Sequence, residues 1–212
     1  MKRLIWFLKQ LFPESCLICQ KYTNSVVCEE CISSIPDDSF DFFHEGIPVY
    51  SFSSYSNNVV HRLLHEVKFR SDTRSAAVLS EWIMGRVKKD FFQDCDICIP
   101  IPIHKRRYRR RGFNHVDTLF FDTFVMFKKT YLCLLDRRVN TPPLFSLDRK
   151  KRKKVIHNSF QPHIDYSTMD LSDRTVCICD DIFTTGTTLD EAVRVLRLLG
   201  AKKIKCCVLS KA

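Results

Sequence analysis

An apolar run, Val176-Cys177-Ile178-Cys179, ends abruptly in two aspartates, Asp180 and Asp181; Ile182-Phe183 and then Thr184-Thr185-Gly186-Thr187-Thr188 follow. In an open α/β sheet, ligands bind beyond the carboxyl ends of strands, and a turn leading there into a helix N-terminus presents backbone N–H groups to an anion. Four threonine hydroxyls add donors, and Gly186 permits close backbone approach. Adjacent carboxylates repel a bare phosphate but suit sugar hydroxyls. A 5-phosphorylated ribose satisfies both halves, with its 2- and 3-hydroxyls at Asp180 and Asp181 and its phosphate at residues 184–188. Without a ligand these residues would read as an acidic strand end and a threonine-rich cap, but they go well beyond what a cap requires. No Gly-Lys-Ser/Thr of a nucleoside triphosphatase loop is present.

A second constellation lies near the N-terminus. Cys16-Leu-Ile-Cys19 and Cys28-Glu-Glu-Cys31 are CxxC pairs eight residues apart, a spacing that lets two knuckles bring four thiolates around one tetrahedral zinc. Four thiolates leave no open coordination position, so the expected metal is structural. Cys95 and Cys98 form a third CxxC inside a run that reads as a buried strand; alternation points them to opposite faces, as core thiols rather than a redox pair. His61 and His65 share a helical face, yet no third ligand stands out, and they read as ordinary histidines.

The elements that must position these residues follow from periodicity. Residues 47–55 read as a strand and 57–70 as a helix; Asp72 can cap another helix running to about Val87. From residue 95 strand and helix alternate. CDICIPIPI, YLCLLDRRV, RTVCICDDI and KKIKCCVLS read as strands, the segment from Gly112 to Lys129 and TLDEAVRVLRLL as helices, and Gly200 suits a helix end. Strands apolar on both faces predict a mostly parallel sheet flanked by helices, an α/β fold. The expected division is a four-cysteine module over residues 1–36 and one main domain over 37–212.

The 212 residues carry a formal charge of +10, and twelve of the 34 lysines and arginines fall in two runs, 105–111 and 149–154. Such a chain attracts anions, whether nucleic acid, membrane surface or phosphorylated metabolite. No apolar run approaches the length needed to span a bilayer. The N-terminal apolar run is too short for a signal peptide, and the thiol pattern suits a reducing compartment, so the cytoplasm is expected.

Residues 176–189, VCICDDIFTTGTTL, resemble the phosphoribosyl-diphosphate (PRPP) motif of type I phosphoribosyltransferases. LFPESCLIC at 11–19, HEVKFRSDTR at 65–74, IPIPIHKRRYRRRGFNH at 99–115 and TPPLFSLDRKKRK at 141–153 narrow the resemblance to the ComF family, in which a four-cysteine zinc module is joined to a phosphoribosyltransferase domain. The resemblance implies a type I phosphoribosyltransferase fold. It implies PRPP with Mg²⁺ at Asp180, Asp181, Thr184, Thr185, Gly186, Thr187 and Thr188, the two aspartates acting in catalysis where catalysis occurs. It places Lys105, Arg106, Arg107, Arg109, Arg110, Arg111, Arg149, Lys150, Lys151 and Arg152 at a leaving diphosphate or on DNA, the first run in a loop after the first core strand. Tyr108 and Phe113 offer stacking surfaces beside it. The family usually has glutamine at position 115, where this chain has His115; Leu144 and Val155 are further departures. The expected role is in natural transformation, with PRPP and single-stranded DNA as ligands and DNA-translocation or recombination proteins as partners. The alternative is an active phosphoribosyltransferase on an unidentified acceptor, for which no general base or acceptor pocket is readable.

Overall fold

The computed structural model describes residues 14–140 and 158–212. The second basic run, with Arg149, Lys150, Lys151 and Arg152, lies outside the described residues, as do Leu144 and Val155.

The chain opens on a small antiparallel pair, β1 (Glu14–Ser15) and β2 (Tyr22–Thr23), and a short helix, α1 (Glu29–Ser33). A hairpin follows, β3 (Phe40–His44) and β4 (Ile47–Ser54), then α2 (Asn58–Arg70), α3 (Thr73–Met84) and the single turn α4 (Lys89–Phe92). β5 (Ile97–Pro100), α5 (Lys105–Arg111), α6 (His115–Met126) and β6 (Thr130–Tyr131) come next. A second antiparallel pair, β7 (Leu135–Arg137) with β8 (Phe160–Pro162), precedes β9 (Thr175–Phe183), α7 (Thr187–Leu198) and β10 (Lys203–Lys211).

Six strands form one sheet in the order β3-β4-β10-β9-β5-β6. All neighbours are parallel except β3, which runs antiparallel to β4 at one edge. The expected α/β architecture therefore holds. Both sheet faces are covered: Phe52, Leu63, Leu79, Phe120 and Phe124 belong to one buried cluster, and Ile178, Leu189, Val195 and Val208 to the other. Cys16, Val27 and Ile35 belong to the first cluster, so the four-cysteine segment is seated on the sheet-and-helix body.

Four expectations need correction. The basic run 105–111 is not a loop but the helix α5, because His104 caps it through its ring nitrogen on the Arg106 N–H and Gly112 ends it at φ 87°. YLCLLDRRV does not form one strand; it breaks between β6, in the main sheet, and β7, which pairs with β8. Cys95 and Cys98 lie on the same face, both within the first buried cluster, because β5 begins only at Ile97 and strand alternation does not govern Cys95. The helix capped by Asp72 ends at Met84, three residues short of the expected end, with Gly85 closing it.

Candidate functional site

Strand β9 carries Asp180 and Asp181 within its last turn of pleat, so alternation sends the two carboxylates to opposite faces. Asp180 lines a pocket with Thr184, Thr185, Gly186, Thr187 and Thr188. Its Oδ1 accepts the Asp181 N–H at 2.8 Å. The threonine loop closes on itself through a 2.8 Å hydrogen bond between the Thr185 and Thr187 hydroxyls. Gly186 has φ 78° and is the N-cap of α7. Helices α2, α3, α5 and α6 are each capped by a side chain, from Asn57, Asp72, His104 and Asn114, whereas α7 begins without one. Among the described residues no side chain caps its first-turn N–H groups at the pocket, which is the geometry an anion takes up.

Asp181 points into a group of cations on the other side. Its Oδ2 takes an ion pair from Lys68 of α2 at 2.8 Å and a short hydrogen bond from His115 Nε2. The Arg111 guanidinium donates to His115 Nδ1 at 2.6 Å and, through Nε and Nη2, to the Lys68 carbonyl at 3.2 and 2.7 Å. A guanidinium can only donate, so Nδ1 accepts and the proton sits on Nε2, aimed at Asp181. Burial favours the neutral imidazole and lowers His115 to about 4, against the opposing pull of Asp181. Burial alone would raise Asp181, but Lys68 and His115 outweigh it and hold the carboxyl well below the usual range. Asp180 behaves in the opposite way: burial first, and the Asp181 charge second, push it up to about 7. One of the two acids is therefore a fixed anion and the other titrates near neutrality.

Helical geometry splits the basic run 105–111. Arg107 and Arg111, four residues apart, are partly buried on the side of Asp181, whose charge acts on both. Lys105, Arg106, Arg109 and Arg110 are exposed, with Tyr108 half exposed among them. A groove of about 590 Å³ runs between α5 and the β7–β8 pair, lined by His104, Lys105, Tyr108, Arg109, Arg137 and Arg138 among others. The charges of both Asp180 and Asp181 act on Arg137, and burial lowers that guanidinium to about 10. Phe113 packs against the first buried cluster and so is not a free stacking surface.

Cys16, Cys19, Cys28 and Cys31 come together with their four sulfurs within 4.8 Å of one another. The Cys16 sulfur accepts the backbone N–H groups of Ile18 and Cys28, each at 3.4 Å. Burial would raise that thiol, but the backbone N–H bonds prevail and lower it to about 6, whereas burial and the bonds with the other three sulfurs push Cys31 up to about 12. The residues fit one tetrahedrally held metal ion. All eleven cysteines are free thiols.

Sequence reasoning missed Lys68 and Arg137 as site residues. Lys68 stands inside HEVKFR, yet only the turn of α2 toward β9 gives it a role. Arg137 belongs to a strand broken from its expected partner.

The family model described as Phosphoribosyl transferase domain matches residues 137–212, from β7 through β10. Competence protein F of Haemophilus influenzae is 32% identical over 115 residues, covering 54% of this chain and 49% of that protein. Competence protein ComFC of Streptococcus pneumoniae is 26% identical over 198 residues, covering 93% of this chain and 80% of that protein. DNA utilization protein YhgH of Escherichia coli O6:H1 is 28% identical over 152 residues, covering 68% of this chain and 63% of that protein. The chain thus spans about half the length of the Haemophilus relative.

Proposed function

We propose that the chain is a member of the ComF family, a reading its similarity to Competence protein F and ComFC supports, and that it serves DNA uptake in natural transformation, binding PRPP with Mg²⁺ at residues 180–188 and single-stranded DNA over the exposed side of α5. The observation that carries the PRPP reading is the pairing of Asp180 with the uncapped start of α7 across one pocket. The loop N–H groups and threonine hydroxyls would hold the 5-phosphate and Asp180, which lines the same pocket, the ribose hydroxyls, while Asp181 on the opposite face would anchor the surrounding cations. Mg²⁺, when bound with the diphosphate, would neutralise charge on the leaving oxygens. Arg107, Arg111 and Arg137 surround the acidic strand end and would face that diphosphate. The relatives' names, Competence protein and DNA utilization protein, support the cellular role.

We assign residues 1–36 to a structural zinc module and 37–212 to the phosphoribosyltransferase domain. Free thiols throughout the chain support a reducing, cytoplasmic setting. No helix among the described residues is long and apolar enough to cross a membrane. DNA-translocation or recombination proteins are the partners such a role implies.

Calorimetric titration with PRPP and Mg²⁺ tests the site: the wild-type chain should bind, and Asp180→Ala combined with Asp181→Ala should abolish the heat. No heat from the wild type would sink the reading. A second reading, transfer of the phosphoribosyl group to an unidentified acceptor, draws on the cations gathered at the acidic strand end. Incubation with PRPP while diphosphate release is followed, with and without single-stranded DNA, separates the two. Steady release marks a transferase, and binding without release a ligand-controlled DNA protein.

A further inference from the structure

We propose that His44 is a positioning residue for the 184–188 loop, bracing its glycine turn and the first turn of α7 from outside so that their N–H groups stay open to a 5-phosphate; the inference rests on the phosphoribosyl reading of that loop. The β3–β4 hairpin turns through Glu45 and Gly46, at φ 48° and 78°, a two-residue connection that fixes the pairing of His44 with Ile47. Alternation puts Phe40, Phe42 and His44 on one face of β3. Phe42 and His44 both meet Phe183, the last residue of β9, edge-on, with ring centroids 5.0 and 5.1 Å apart. From that seat His44 Nε2 reaches Asp190 Oδ1 at 2.7 Å. A carboxylate only accepts, so Nε2 is the donor.

Two further contacts tie this bond to the loop. The Asp190 N–H donates to the Gly186 carbonyl at 2.8 Å, the first bond of α7. The His44 ring also lies directly over Gly186, where an added Cβ would stand only 2.2 Å from Nε2 and 2.3 Å from Cε1. An ordinary N-cap side chain would accept the first-turn N–H groups that an anion requires. Here the turn is held from the far side by His44 and Asp190, and those donors are spared. Glycine at 186 is needed twice, for its positive φ and for the space the ring occupies. The His44 side chain is only 15% exposed, so its ring is held in place, while Asp190, the exposed end of the strut, meets it from the first turn of α7.

The test titrates the full chain calorimetrically with ribose 5-phosphate and, separately, with inorganic diphosphate and Mg²⁺. His44→Ala should weaken ribose 5-phosphate about tenfold, roughly one hydrogen bond to a charged group, and leave diphosphate within about twofold. Asp190→Ala should reproduce that loss, the double variant should add nothing to it, and His44→Gln, whose amide can still donate to Asp190, should recover most of the affinity. A residue that merely fastened the hairpin would move both ligands alike or neither. If the wild type binds ribose 5-phosphate and both alanine variants match it, the strut is wrong while the phosphoribosyl site stands. If the wild type binds neither PRPP nor ribose 5-phosphate, the phosphoribosyl site falls and the strut with it.

Discussion

The two adjacent aspartates differ in role because their surroundings differ. Burial and the neighbouring charge push Asp180 up to about 7, whereas Lys68 and His115 keep Asp181 ionised. A carboxyl raised in the folded state stabilises the fold below its ordinary pKa, near 4, and that contribution is lost as pH rises through about 7. Ligand binding has the opposite sign. Mg²⁺ and PRPP favour the carboxylate, so PRPP affinity should rise with pH to about 7 and flatten above, with a proton released on binding near pH 6.5. Titrations in buffers of differing ionisation enthalpy read that proton directly; affinity unchanged between pH 6 and 8 would contradict the assignment. His115, where the family that the chain resembles is expected to have glutamine, also becomes intelligible. A neutral imidazole accepting from Arg111 at Nδ1 and donating to Asp181 at Nε2 presents the acceptor and donor of a glutamine amide. Chemical denaturation should place His115→Gln within about 1 kcal/mol of the wild type. His115→Leu, which leaves Arg111 and Asp181 each short of a partner, should cost about 2–3 kcal/mol. The sequence made the acidic pair and the threonine loop visible because they are contiguous. Lys68 and Arg137 were invisible because their relation to Asp181 exists only once separate elements pack.

Contiguity also separates the elements that could be read from those that could not. Strands β4, β9 and β10 and helices α2, α6 and α7 carry strong apolar periods, and they appear in the structure where those periods place them. KRRYRRR carries none; arginine and lysine favour a helix, but the deciding signals are the cap at His104 and the positive φ of Gly112. Strand β3 is short, and its exposed face carries Asp41 and Phe43, so it acquires its identity by pairing with β4. The four-cysteine segment was legible from spacing alone, but its seat was not. Cys16, Val27 and Ile35 join the same buried cluster as Leu63, Leu79 and Phe120, and Arg74 of α3 pairs with Glu14 at 2.6 Å. Metal held there should therefore stabilise the larger body as well as the knuckles. Elemental analysis should find about one zinc per chain, lost in Cys28→Ser. Calorimetry with a strong chelator should lower the main melting transition by at least about 3 °C, the shift that 1 kcal/mol produces at this chain length. A small separate transition with the main one unmoved would mean that the module is energetically detached.

At the scale of the whole molecule α5 divides its share of the +10 charge between two faces. Arg107 and Arg111 turn toward the acidic strand end, where their charges are partly offset by Asp181. Lys105, Arg106, Arg109 and Arg110 face solvent around Tyr108, and the groove beside them continues past Arg138. An outward patch of exposed cations with an aromatic ring suits the phosphates and bases of a flexible single strand, and each phosphate neutralised releases a counterion. Changing the four outward residues to glutamine should flatten the logarithmic salt dependence of single-strand affinity by about three, near 0.7 for each lost contact. PRPP affinity should stay within about twofold. Arg107→Gln should do the reverse, weakening PRPP while leaving the salt slope nearly intact, because its charge is spent within the site. Fluorescence anisotropy across a salt series measures the first effect and calorimetry the second. If the outward variant kept the wild-type slope, the strand would have to bind elsewhere. If both sets changed both ligands equally, the two faces of α5 would be one anion site, and PRPP and DNA would compete for it.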